Sequence, residues 1–182
     1  MLRRCIETAV VLIALAVVAL LGAARVWNEP GKGVYWRIAE LAQLPPTSDT
    51  VDFTELRRRS LAGDALVCPA GVCQKAKADI TAPVFPVPAA ELRKKVSLVV
   101  SAEPNSTELT CGDSCDRSGR FVEYSPVFQF PDVIDVRVTE AGAKASTLAI
   151  YSRSVVGIGD LGVNQERTRR WLAALQRIMP QQ

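Results

Sequence analysis

One run of alternating side chains sets the architecture that we expect for this chain. Residues 133–140 read VIDVRVTE, so that Ile134, Val136 and Val138 fall on one side of an extended strand. Val133, Asp135, Arg137 and Thr139 fall on the other side, because successive strand side chains point to opposite faces. Residues 141–142 (AG) turn the chain and 145–156 return, which predicts an antiparallel hairpin with one wet face.

Two further extended runs complete the predicted sheet. Residues 107–111 and 120–130 flank a turn rich in Gly, Asp and Ser, so four strands follow one another with short turns. Helices that begin near Pro88 and Asn164 are expected to cover the dry face. The expected fold class is α+β, an antiparallel four-stranded sheet covered by helices and preceded by an N-terminal transmembrane helix.

The transmembrane expectation comes from an uncharged apolar run near the N-terminus. Residues 9–24 read AVVLIALAVVALLGAA, and with Val26 and Trp27 the run is long enough to span a bilayer. A signal peptide cleaved near Gly22-Ala23-Ala24 is the alternative, and we favour the uncleaved anchor. We therefore expect residues 1–27 to be an anchor or signal segment, 28–51 a juxtamembrane helix and linker, and 52–182 an exported α+β domain.

The cysteines bear on the compartment and on the orientation. Cys5 precedes the apolar run, and the others form an even set of two short-range pairs. If the body is exported, disulfides are the default, and we favour Cys68–Cys73 and Cys111–Cys115 because each pair flanks a glycine in a turn-like segment. A four-cysteine zinc site and a redox-active dithiol stay open as alternatives, although zinc ligands within a pair are usually closer together in sequence.

Composition removes several classes of activity. The chain has no histidine, which excludes Ser-His-Asp and Cys-His catalysis and histidine metal ligands. Its net charge of +3, from 22 basic and 19 acidic residues, is too small for a nucleic-acid-binding protein. We assign no catalytic residue, no cofactor, no metal site and no nucleic-acid partner.

A glycine-rich turn precedes the last predicted helix. Residues 157–162 (GIGDLG) match the GxGxxG pattern of dinucleotide sites, but such a site needs a second parallel strand after the helix, and only three residues follow Met179. We read the glycines as permitting a strand to reverse into a helix that Asn164 caps. The helix is expected to bury one stripe and expose one set of arginines. The stripe is Thr168, Trp171, Leu172, Leu175, Ile178 and Met179, and the arginines are Arg167, Arg170 and Arg177.

The same turn carries the candidate ligand-binding site. Hydroxyl groups, one cation and backbone amides gather around one helix start more densely than a plain connection requires. The predicted set comprises Ser152, Arg153, Ser154, Gly157, Gly159, Asp160, Gly162 and Asn164.

These residues carry a resemblance to a known family. Residues 154–164 (SVVGIGDLGVN) resemble the Ser-Arg-Val-Gly-x-Ser-Asp-Leu-Gly-Val-Asn-Arg signature of a bacterial family catalogued as domain of unknown function 1499. Residues 130–137 (FPDVIDVR) resemble the Phe-x-Asp-Asp-Val-Glu-Phe-Arg strand of that family, and residues 68–73 (CPAGVC) resemble its Cys-Pro opening. The signature's first arginine falls on Val155, its second serine on Gly159 and its last arginine on Gln165. Arg153 is the candidate to substitute for the missing first arginine.

The resemblance covers roughly residues 52–175 and implies an envelope association without a settled activity. We expect a protein of the bacterial inner membrane, with its N-terminus cytoplasmic and its domain periplasmic. The favoured function is a membrane-anchored, non-catalytic domain that binds an envelope protein or a small molecule around residues 152–164. The alternative is an envelope hydrolase that uses Asp132, Asp135 and Asp160 as general acid and base, for which two of these carboxylates must converge in a pocket.

Overall fold

The computed structural model of this chain describes residues 10–20, 22, 51–58, 63–109, 116–155 and 159–180. Residues 10–20 are helical. Two helices belong to the folded domain, α1 (Ala89–Ser101) and α2 (Val163–Arg177). Its six strands are β1 (Asp64–Cys68), β2 (Ile80–Thr81), β3 (Ser106–Leu109), β4 (Ser118–Tyr124), β5 (Pro131–Gly142) and β6 (Ala145–Ser154).

The strands form one mixed sheet in the order β2-β1-β6-β5-β4-β3. All neighbours are antiparallel except β1 and β2, which run parallel. The predicted four-stranded antiparallel sheet is therefore wrong. Strand β1 (DALVC) does not alternate because four of its five residues are buried, and so it lacks the period-two pattern that identified β5.

The predicted transmembrane helix is also contradicted. Within the described ranges, no helix combines the length and the apolar character needed to cross a membrane. The juxtamembrane helix and linker predicted for residues 28–51 lie outside the described residues, apart from Val51.

The main core lies between the sheet and the two helices. Ile134, Val136 and Val138 of β5 point into it, as the alternation predicts, and they meet Leu92 of α1 and Trp171 of α2. The opposite face of the sheet is wet only in part. Residues 51–58 and the loop after β1 cover one region of it, where Phe53, Leu56, Leu66, Ala149 and Tyr151 pack together. Asp135 on this face is buried as well, so the fully wet face that alternation predicts is wrong.

The prediction of which α2 side chains are buried is correct for most of the apolar stripe and wrong for one arginine. Trp171, Leu172 and Leu175 are buried, whereas Ile178 is 42% exposed. Arg167, expected on the wet face, is only 2% exposed. It is buried because carboxylates of the sheet lie beneath it and neutralise its charge, which the helical period alone does not reveal.

The predicted Cys68–Cys73 disulfide is confirmed, and it closes the loop directly after β1. These two sulfur atoms are bonded to each other and so are not zinc-binding thiolates. Cys111 and Cys115 lie outside the described residues, and their pairing stays a prediction.

Removing this disulfide is expected to lower the free energy of unfolding by about 2 kcal/mol, because the bond restrains a short loop in the unfolded chain. Urea unfolding of the double variant Cys68→Ala/Cys73→Ala measures the loss. Reductant added to the wild-type protein should lower stability at least as far as the double variant. A double variant as stable as the oxidised wild type contradicts the expectation, and a further loss when reductant is added to it reports the second disulfide.

Candidate functional site

The turn that leads into α2 is organised by Asp160. Its Oδ1 accepts a hydrogen bond from the backbone N–H of Gly162 at 3.0 Å, and its Oδ2 accepts one from the N–H of Asn164 at 2.8 Å. Burial acts to raise the pKa of Asp160, but the N–H donors outweigh it and hold the pKa below its ordinary value. Asp160 therefore satisfies the helix N-terminus, and the prediction that Asn164 caps the helix is wrong.

Replacing Asp160 by alanine is expected to cost about 1 kcal/mol of unfolding free energy, the usual value of a lost helix cap. Because its pKa is lowered on folding, the carboxylate stabilises the native state above its ordinary pKa of 3.8, and that contribution disappears as the pH falls through the folded value. Urea titrations at neutral pH and in acid should therefore show the largest deficit at neutral pH. Glu166→Ala, an exposed acid in the first turn of the same helix, is the matched control and should lose only a few tenths of a kcal/mol. A deficit that grows in acid contradicts the assignment.

Asn164 ties the first turn of α2 to the sheet. Its side chain is fully buried (0% exposed). Its Oδ1 accepts hydrogen bonds from Ser152 Oγ at 2.5 Å and from Arg167 at 2.6 Å. Its Nδ2 donates to the carbonyl oxygen of Gly63 at 3.1 Å and to Ser154 Oγ at 3.2 Å. Three residues of the predicted ligand-binding set therefore meet, and their side-chain groups bond to one another inside the protein.

Gly63 lies where the chain preceding β1 touches the α2 turn. A Cβ at this position would lie 2.1 Å from Asp160 Cγ, far inside van der Waals contact. The Gly63 carbonyl oxygen also accepts the backbone N–H of Ser154 at 3.1 Å. The absence of a side chain here allows three separate segments to come together.

Arg153 lies on the other face of the sheet, because neighbouring residues of a strand point in opposite directions. Its NH1 is 2.5 Å from Asp135 Oδ2, and its guanidinium lies over the ring of Tyr151 at 5.1 Å. Arg120 binds the other oxygen of Asp135 at 2.7 Å. The predicted site is therefore divided between two faces. Gly159 is exposed at the turn, and Gly157 lies outside the described residues.

The buried Arg167 is the centre of the polar network that sequence reasoning missed. It donates to Asp132 Oδ2 at 2.7 Å and to Ser152 Oγ at 2.9 Å, and its Nε lies 3.0 Å from Glu123 Oε2 without the alignment of a good hydrogen bond. Asp132 and Glu123 are direct cross-strand neighbours, an arrangement that is unfavourable for two like charges. Arg167 lies between them and attracts both carboxylates, and Arg170 also reaches Glu123 at 3.5 Å.

The electrostatics of Asp132 follow from this position. Burial raises its pKa above the ordinary value, and the attraction of Arg167 only partly counteracts that rise. A sequence signal for the contact exists, since Arg167 is one helical turn after Asn164 and Asp132 shares the parity of the core residue Ile134. Neither pattern shows that the two faces meet.

The carboxylates of the hydrolase alternative do not converge. Asp132 faces the helices and pairs with Arg167, whereas Asp135 faces the other side of the sheet and pairs with Arg120. Asp160 caps α2. Across the described ranges, no three His, Cys, Asp or Glu side chains are grouped to hold a metal ion. The three carboxylates therefore form internal ion pairs and a helix cap, and they do not form an acid–base pair.

Two segments at the end of the sheet where this turn lies carry exposed apolar side chains. Leu161 is fully exposed (106%) and Val163 is half exposed. Strand β6 ends here, and Val155 just beyond it bonds to the carbonyl oxygen of Pro131 at the start of β5. The loop between β4 and β5 lies at this end, too, and carries three exposed apolar side chains. We call the five residues Val127, Phe128, Phe130, Leu161 and Val163 the apolar end surface.

The fold and the site together define a two-layer α+β domain with a paired polar interior and an apolar end. The chain matches the model of the family described as protein of unknown function, DUF1499, over residues 45–175, and it belongs to that family. The resemblance noted in the sequence is thereby confirmed. No curated protein matches the chain.

Proposed function

We propose that this chain is a non-catalytic binding domain of the bacterial cell envelope that docks on a protein partner through its apolar end surface. The observation that carries the proposal is Leu161, a large apolar side chain directed wholly into solvent from a left-handed backbone.

The conformation of Leu161 is unfavourable by itself. Its φ of 53° lies in the left-handed region, which costs a residue with a Cβ about 1–2 kcal/mol. The exposed side chain recovers nothing from packing inside this domain. Asp160 enforces the conformation because its carboxylate accepts the backbone N–H groups of Gly162 and Asn164, on the C-terminal side of Leu161. Strain that the surroundings impose in this way is typical of functional positions.

The support beneath Leu161 is rigid. Asn164 and Gly63 fix the turn to α2, β6 and the chain before β1 through buried hydrogen bonds. A side chain that is held in place before binding loses little conformational entropy when a partner covers it. The turn therefore suits an anchor residue that enters a pocket on another protein.

A protein partner fits this end better than a small polar ligand. The side chains of Ser152, Ser154 and Asn164 are buried, and their hydrogen-bonding groups engage one another, so a small ligand would have to displace internal bonds to reach them. Small-ligand binding by the predicted set stays a prediction. The Cys68–Cys73 disulfide supports an exported, periplasmic domain, because such bonds persist in oxidising compartments.

Site-specific photocrosslinking in cells tests the proposal. A photoreactive phenylalanine analogue replaces Leu161 in one strain and Val84 in another, since Val84 is exposed and apolar but lies outside the apolar end surface. We expect a discrete heavier adduct from position 161 only, and its mass spectrum identifies the partner. Equal labelling from both positions, or none from position 161, overturns the proposal.

Replacing Leu161 by asparagine should separate stability from binding. Asparagine tolerates the left-handed region, so the variant is expected to gain about 0.5–1 kcal/mol of unfolding free energy. The same variant should lose the adduct formed from a photoreactive residue at Val163. Val84→Asn is the control and should change neither. A variant that is no more stable than the wild type, or one that retains the adduct, contradicts the role given to Leu161.

A further inference from the structure

A second surface lies away from the apolar end surface, between α1 and the edge strand β3. Here an open cleft of about 840 Å³ separates the helix from the strand. Residues Lys94, Leu98 and Ser101 belong to the helical wall, and Ser106, Thr107 and Glu108 form the wall made by the strand.

The floor of the cleft is a rigid polar bridge. Arg93 is buried, donates to Ser97 Oγ at 2.5 Å and forms an ion pair with Glu108. Ser97 Oγ in turn donates to Glu108 Oε2 at 2.7 Å. Arg93 Nε donates to the carbonyl oxygen of Ser118 at 2.8 Å, and the guanidinium lies over the ring of Phe121 at 5.6 Å. These groups satisfy one another and hold the two walls at a fixed separation.

The strand wall offers hydrogen-bonding groups of the backbone. Among the described strands, β3 pairs with β4 alone and forms one edge of the sheet. Tyr124 donates its N–H to the carbonyl oxygen of Asn105, so the pair of Asn105 and Tyr124 is a hydrogen-bonded pair of the antiparallel ladder. Hydrogen-bonded pairs alternate, and the N–H and C=O groups of Ser106 and Glu108 therefore point outward from the sheet.

The helical wall combines one apolar and one basic group. Lys94 and Leu98 are four residues apart, which places them on one face of α1. Leu98 is 64% exposed, a large value for an apolar side chain beside a cleft. Lys94 is exposed and forms no ion pair with any residue that the structure describes, whereas the adjacent Lys95 is paired with Glu91.

We infer that this cleft binds an extended segment of a partner protein, which adds to β3 as a further strand. The backbone of the added strand bonds to Ser106 and Glu108. One of its apolar side chains covers Leu98, and an acidic side chain two residues away, on the same face of the added strand, pairs with Lys94. Strand addition of this kind takes its affinity from the backbone and its selectivity from alternate side chains. The inference does not depend on the function proposed for the apolar end surface.

Fluorescence anisotropy with the full chain tests this inference. The probe is a short fluorescein-labelled peptide of alternating Val and Thr in which Asp replaces the central Val, so that Asp shares a face with the other Val residues. The comparison peptide carries Lys in place of Asp. We expect the Asp peptide to bind the wild-type protein more tightly. Lys94→Glu should raise the dissociation constant of the Asp peptide about tenfold, equivalent to about 1.4 kcal/mol. The variant should then bind the Lys peptide more tightly than the Asp peptide. Lys144→Glu, at the exposed turn between β5 and β6, is the matched control and should bind like the wild type.

A backbone readout separates strand addition from simple charge attraction. Bound peptide should slow hydrogen exchange of the amides of Ser106 and Glu108, and N-methylation of alternate peptide amides should abolish binding. The inference is overturned if neither peptide binds, if protection maps away from β3 and α1, or if N-methylation has no effect. Protection that rises with protein concentration alone overturns it as well, because it identifies a second copy of this chain as the occupant.

Discussion

Replacement of Arg167 by methionine is expected to cost about 3–5 kcal/mol of unfolding free energy at neutral pH, the usual result of breaking a buried ion pair from one side. Methionine preserves most of the length of the side chain, so the loss comes mainly from charge and hydrogen bonds. The variant leaves Asp132 and Glu123 adjacent across two strands with no cation between them. Thermal and urea unfolding followed by circular dichroism measure the effect.

Arg170→Met is the matched control for this substitution. Arg170 lies one turn further along α2 and reaches Glu103 at 3.0 Å and Glu123 at 3.5 Å, but its side chain is 41% exposed, against 3% for that of Arg167. An ion pair in such a position contributes about 0–1 kcal/mol, and the control should lose no more. Similar losses at the two positions would show that Arg167 has no special role.

The deficit of Arg167→Met should depend on pH in a defined direction. The pKa of Asp132 is already raised by burial, and losing Arg167 removes an attraction that lowers it. An acid whose pKa rises on folding stabilises the native state below its unfolded pKa and loses that stability as the pH rises through the folded value. The difference in stability between wild type and variant should therefore be smallest in acid and grow as the pH rises through the folded pKa of the wild-type Asp132, which burial places above the ordinary value. A deficit that is constant with pH is incompatible with this account.

Gly63→Ala is expected to cost about 3 kcal/mol, the sum of an overpacked contact and a displaced helix cap. The new Cβ overlaps the side chain of Asp160, which has no room to turn away while it caps α2. The carbonyl oxygen of Gly63 also leaves its bonds to Ser154 and Asn164 if the backbone moves. Urea unfolding measures the loss.

A double-mutant cycle with Asp160→Gly tests the cause. In the Asp160→Gly background the contact no longer exists, and Gly63→Ala should cost less than about 1 kcal/mol there. Additive losses would mean that the two residues act independently and that the close approach is not what excludes a side chain from position 63.

Patterns local to one element predicted the structure well, whereas contacts between elements did not follow from them. The alternation at 133–140 gave the correct face for Ile134, Val136 and Val138, and short-range spacing gave the Cys68–Cys73 disulfide. Strand β1 was not predicted because it is buried on both faces and so lacks the alternation of apolar and polar residues. Strand β2 was not predicted because it has only two residues. A strand that pairs with a partner about eighty residues away leaves no local trace in the sequence.

The candidate site shows the same limit more sharply. The sequence correctly placed a glycine-dependent turn before α2, with Gly159 and Gly162 at positive φ. It assigned Arg153 and Ser152 to one cluster, although strand parity places them on opposite faces. It treated Arg167 as a solvated arginine, because nothing in the helical period reveals a carboxylate pair on the facing sheet. Charge neutralisation across elements is a tertiary property, and only the packed structure shows it.

The order of the strands in the sheet has a consequence for how the chain matures. Strand β6 lies between β1 and β5, although it is the last of the described strands to be synthesised. Until β6 is present, β1 and β2 lack the neighbour that joins them to the rest of the sheet, and Arg167 has not yet arrived to neutralise the carboxylates of β4 and β5. The nascent polypeptide therefore stays without its native architecture until nearly all of the domain has left the ribosome.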